Sequence, residues 1–133
     1  MQNVSGQSYW RLRSDVVTTV LQDGGVILDL RSKFFYSANP TALAIVQMFE
    51  NGTTSAEVLE ASRKWGANGD TPAVKQVIDL ILSEGLAEAA SPDGVALPEV
   101  VVATWVLPVL SKHNEPLQRI MVSAFDPGMP LAE

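Results

Sequence analysis

The sequence predicts an α+β fold: a three-stranded antiparallel sheet, then three helices, then a proline-rich C-terminal extension. Three observations carry that expectation. Val16–Leu21 is nearly all β-branched and runs into Asp23-Gly24-Gly25, a strand composition followed by a hairpin signal. At Asn39 the apolar period changes from two to 3.6. Beyond Ser91-Pro92-Asp93-Gly94 the chain holds five of its eight prolines, at 98, 108, 116, 127 and 130, which favours an extended segment over an independent core.

Tyr9 to Ala38 reads as strand-forming. Val26-Ile27-Leu28-Asp29-Leu30 is the return strand of the hairpin, Arg31-Ser32-Lys33 a second polar turn, and Phe34-Phe35-Tyr36 a third short strand. Asn39 caps the first helix with Pro40 at its first position, where a missing N–H costs nothing. Ala42, Ile45, Val46 and Phe49 form its apolar stripe, and Asn51-Gly52 ends it. Thr54 and Glu57 have capping-box spacing and open a second helix carrying Val58, Leu59, Ser62 and Trp65. Thr71-Pro72 caps and starts a third, with Val74, Val77, Ile78, Ile81 and Leu82 on one side and Gly85 at its end. In the extension, Glu99–Leu107 has strand character and Leu117–Phe125 reads as a short helix or strand. The boundaries are a domain over residues 9–90 and an extension over 91–133.

Composition excludes whole classes of function. The chain has 133 residues and a formal net charge of −6, which argues against a generic nucleic-acid or anionic-membrane binder. It contains no cysteine and one histidine, His113. Disulfides, thiolate nucleophiles and Cys-ligated metals are thereby excluded, and scope for histidine chemistry is small. No nucleophile motif, zinc motif, phosphate loop or dinucleotide fingerprint occurs. His113 lies in a polar stretch and reads as a solvated loop residue. Asp15, Asp23 and Asp29 fall near strand ends and read as turn-stabilising side chains. Neither a secretory signal nor a membrane-spanning run is present. The expectation is a soluble cytoplasmic protein with no cofactor and no catalysis of its own.

Strands followed by three helices can build a winged helix-turn-helix, whose last helix would then read DNA. Residues 71–84 carry Lys75 against Asp79 and Glu84, and Gln76 is the one amide able to contact a base edge. That helix repels phosphates, so DNA binding ranks second.

The run Gly25–Leu30, then Phe34–Pro40, then an apolar helix, then Asn51-Gly52-Thr53-Thr54-Ser55-Ala56-Glu57-Val58, and finally Leu80–Leu86 with its L-x-x-x-x-G-L ending, resembles the PqqD family of peptide chaperones in pyrroloquinoline quinone biosynthesis. The resemblance covers roughly residues 14–90; Ala38-Asn39 stands where the family usually has Leu-Asn. It implies a RiPP recognition element: a winged-helix-like domain that holds the leader of a ribosomally made precursor peptide and presents it to a modifying enzyme, often a radical SAM enzyme. The family binds its peptide as an added strand on the edge of the third strand, beside the third helix.

The residues agree with that mode. The strand around Phe34, Phe35 and Tyr36 offers free backbone groups at an edge, which proteins seldom leave uncovered without a use. On the third helix Val74, Ile78, Ile81 and Leu82 are mostly core, with one or two facing the peptide, and Arg31, Lys33 and Lys75 are either cations that meet an acidic leader or part of a solvated face. An exposed edge also admits a homodimer. An alternative to the leader-binding groove is an interaction subunit working through its tail. Trp105, Leu107 and Val109, with Val100–Val102, are too apolar to stay loose in water. The expectation is that the tail docks within the protein or its dimer, with Val100–Trp105 as the pairing strand, and competes with the leader if it takes the same edge.

Overall fold

The computed structural model describes residues 8–92 and 99–113. Its class is α+β, with two antiparallel sheets and three helices. Strand β1 is Tyr9–Leu12, β2 Val16–Leu21, β3 Gly24–Asp29 and β4 Phe35–Ala38. β2, β3 and β4 pair as the expected meander, with Leu21 opposite Gly24 and Leu28 opposite Phe35. Gly24 lies at φ 132°, and a Cβ there would strike the Ala38 carbonyl oxygen, so the turn accepts no side chain at this position. At the second turn Lys33 is exposed and left-handed at φ 71°. Asp29 Oδ1 accepts from the Arg31 N–H at 2.9 Å, the turn role expected of that carboxylate.

Helix α1, Pro40–Asn51, is the centre of the molecule. Asn39 Oδ1 accepts from the Ala42 N–H at 2.9 Å, and Gly52 at φ 91° ends the helix. Thr41 to Val46 and Phe49 are all buried, because α1 packs against strands of both sheets and against α3 (Thr71–Ser83). Helix α2, Ser55–Trp65, opens with the full capping box: Thr54 Oγ1 accepts from the Glu57 N–H, and Glu57 Oε1 accepts from the Thr54 N–H, both at 3.0 Å. The cap of α3 falls on Asp70, one residue before the expected Thr71, and its carboxylate makes no cap bond. It is engaged by the C-terminal segment instead.

The antiparallel strands expected over residues 9–38 form, but the three-stranded sheet departs from expectation in two ways. β1 leaves the meander and lies between β5 (Thr53–Thr54) and β6 (Ala87–Ala89) in a second sheet. The cause sits just after β1. The Arg13 N–H donates to the Leu86 carbonyl at 2.9 Å, and its buried guanidinium pairs with buried Asp29, so the chain turns away from β2 towards β6. The meander in turn gains a fourth strand, β7 (Leu110–His113), giving the order β2-β3-β4-β7.

β7 is not the segment chosen by strand composition. Glu99–Val109 is irregular. Val100–Val102 has strand propensity but pairs with no strand; its carbonyl at Val100 accepts from the Trp65 indole N–H at 3.2 Å. Pro108 supplies no N–H to a ladder, and pairing begins two residues later. The segment Leu117–Phe125 lies outside the described residues.

Among the described residues, no helix is long and apolar enough to cross a membrane. The buried apolar core runs from Leu12 to Ala87 and is built from both sheets and all three helices.

Candidate functional site

The site is the edge of β4 together with the face of α3 beside it. Alternation along β4 decides which side chains reach which surface. Tyr36 is 1% exposed and Ala38 is buried, so these two face the core, while Phe35 and Ser37 lie on the opposite face. The α3 stripe expected to meet a peptide divides similarly. Val74 and Ile78 are buried in the core and Leu82 is packed against it. The α3 residues lining the groove beside the tail are exposed Gln76, half-buried Leu80 and the core residue Val77, with Glu84 at the helix C-terminus.

This groove is occupied by the chain's own residues 105–113, held by a series of discrete polar contacts. The Trp105 indole N–H donates to Asp70 Oδ2 at 2.8 Å, which explains why that carboxylate leaves its helix uncapped. Asn39 works twice. Its Oδ1, already capping α1, also accepts from the Val109 N–H at 3.0 Å, and its Nδ2 donates to the Leu107 carbonyl at 2.7 Å. Its backbone N–H donates to the Val109 carbonyl at 3.1 Å. β7 then pairs antiparallel, with Leu110 opposite Ala38 and His113 opposite Phe35.

Two side chains of β7 are read individually. Lys112, opposite Tyr36, places Nζ 2.8 Å from Glu84 Oε1 and 4.8 Å from the Phe34 ring centroid. The Tyr36 hydroxyl donates to the same carboxylate oxygen at 2.9 Å. The Lys112 ammonium holds the Glu84 carboxyl below the usual glutamate range, against burial, with the Tyr36 phenol assisting. Burial and the neighbouring Glu84 charge push the Tyr36 phenol well above its ordinary value, so it remains a donor. On the other face, His113 stacks on Phe35 with ring centroids 4.3 Å apart and planes 6° from parallel, and its Nε2 lies 2.9 Å from Ser37 Oγ. His113 is thus a half-buried strand residue, not a solvated one.

The expected basic residues lie elsewhere. Arg31 is exposed and pairs with Asp15 at 3.4 Å; Lys33 and Lys75 are exposed. The charge that the domain itself presents beside β4 is the acid Glu84. One sequence signal pointed to it: a carboxylate at the C-terminal cap of α3 sits at the negative end of the helix dipole and is stabilised by a cation from outside the helix. Asn39 was legible as a helix cap, but neither it nor Asp70 was legible as a tail contact, because the tail returns from about 70 and 35 residues away in sequence.

Among the described residues, no group of three or more His, Asp or Glu side chains is placed to hold a metal ion. Compared with protein-family models, curated proteins and solved structures, the chain shows no significant match.

Proposed function

We propose that this protein is a peptide-binding module without chemistry of its own. It takes up the leader segment of a ribosomally synthesised precursor as an added antiparallel strand and presents it to a modifying enzyme of the radical SAM class. In this reading residues 9–90 are a winged-helix-like recognition domain, with the β2–β3 hairpin as its wing, and residues 91–133 are an appended extension. The observation that supports it is the antiparallel strand seated between β4 and α3, with alternate side chains entering separate contacts on the two faces. Backbone pairing supplies affinity in such a mode and the side-chain contacts supply selectivity.

The test is fluorescence anisotropy with labelled peptides encoded by short reading frames next to the gene, run beside a labelled DNA duplex. The expected result is saturable binding of one such peptide and no duplex binding. Duplex binding that weakens steeply with salt, with no peptide bound, would replace this reading with a DNA-binding regulator.

A further inference from the structure

We propose that residues 105–113 are an internal ligand of the β4–α3 groove, and that the groove selects an extended peptide carrying an aliphatic residue, a cation two positions on, and then a planar ring. This rests on the peptide-binding reading above and deepens it.

The first argument is how little of the tail itself is buried. Among the described residues, the buried apolar core lies between Leu12 and Ala87, and Trp105 and Leu110 are half-buried against it. Pro108 is buried, but Val106, Leu107 and Val109 are 44%, 54% and 52% exposed. Those three residues precede β7 in the irregular stretch, and β7 itself offers one aliphatic side chain, Leu110, to the core. This segment is held as a bound peptide is held, by backbone pairing and a few polar side-chain contacts.

The second argument is the chemistry of those contacts. Glu84 and the Tyr36 hydroxyl converge on one point beside the strand, and Lys112 fills it. Phe35 and Ser37 make a stacking surface with a hydrogen-bonding group, and His113 covers it. Leu110 packs against the core and, with Val77 and Leu80, lines an open groove of about 360 Å³. The pattern Leu110-Ser111-Lys112-His113 is thus a template for the peptide that displaces it, and that peptide is basic where it meets Glu84.

A tethered strand is present at its site at an effective concentration on the order of millimolar, so an external peptide competes poorly until the tail is loosened. Lys112→Glu in the full-length chain sets two carboxylates against each other in the tail contact while leaving the groove unaltered. A fluorescein-labelled peptide of residues 104–113 is the probe. It is expected to bind the K112E chain roughly tenfold or more tightly than wild type, the size associated with one charge-assisted hydrogen bond. Hydrogen exchange of the β4 amides should quicken in K112E. The charge-swapped E84K/K112E chain should regain slow exchange and again resist the probe. Probe peptides with the lysine changed to Glu or the histidine to Ala should bind K112E more weakly.

Equal probe binding to wild type and K112E with unchanged β4 exchange would overturn the internal ligand and make β7 a permanent strand. Indifference to the peptide substitutions would overturn the selection pattern. If the probe behaves as expected while leader peptides from neighbouring reading frames fail to displace it from K112E, the internal ligand is supported and the leader-peptide reading falls.

Discussion

Asn39 is the residue at which helix formation and tail docking separate, and two substitutions there should give different outcomes. Its Oδ1 caps α1 and its Nδ2 donates to the Leu107 carbonyl at 2.7 Å. Asn39→Asp keeps the cap, since aspartate is an equally good N-cap residue and its charge is favoured at a helix N-terminus. The same change replaces the Nδ2 donor with an oxygen facing the Leu107 carbonyl. Losing the bond and setting two acceptors together costs about 1–3 kcal/mol. That corresponds to a roughly 5- to 150-fold rise in the undocked tail. Asn39→Ala loses both functions, so it should also cost the domain about 1 kcal/mol through the missing cap. Urea unfolding reads domain stability, and hydrogen exchange over β4 and residues 105–113 reads docking. N39D should lose protection over β4 and residues 105–113 and give up no more urea stability than the docking energy, while N39A should lose about 1 kcal/mol beyond that. If N39D protects β4 as well as wild type, or unfolds as early as N39A, the division of labour within this side chain is wrong.

Phe49 is fully buried in α1, and Phe49→Ala should cost about 3–5 kcal/mol in urea unfolding through the cavity it leaves. Asp29→Ala should cost about 1–3 kcal/mol, because the buried Arg13 guanidinium loses its buried partner and keeps only Asp15 at 3.3 Å. Docking should also depend on pH. The Glu84 carboxyl lies below its ordinary value while Lys112 is in place, so its contribution is full above the usual glutamate range and is lost as pH falls through the lowered value. Exchange of β4 amides, compared with that of α1, should therefore rise in acid before global unfolding, and Glu84→Gln should flatten the difference.

The parts of this fold legible in the sequence are those fixed by neighbours in the chain. The Asn39-Pro40 start, the Thr54–Glu57 box and the Gly52 stop of α1 each satisfy backbone groups a few residues away, so local chemistry suffices to find them. The β2–β3 hairpin is local in the same sense. The second sheet was not legible, because its strands are four, two and three residues long and are paired across long stretches of sequence. Strands that short carry no readable alternation, and Thr53-Thr54 reads as a helix cap because it also is one. On the site, the sequence placed the edge at Phe34–Tyr36 and the neighbouring α3 residues on the core stripe, of which Val77 lines the groove, but it did not single out Gln76 and Leu80 beside it.

The tail shows why composition misplaced its strand. Val100–Val102 has the better β-propensity, yet the ladder forms at Leu110-Ser111-Lys112-His113. Propensity on a sheet mostly reflects packing on a half-buried surface, and a strand exists only where another strand offers an edge. Here the edge of β4 runs beside Glu84, and the register is set by the residues able to meet it. Asn39 fixes Leu107 and Val109 at one end, and Lys112 and His113 find their partners at the other. An open strand edge invites pairing with other chains. Covering it with a segment of the same chain, held by contacts that a competing peptide can reproduce, protects the edge and leaves it usable.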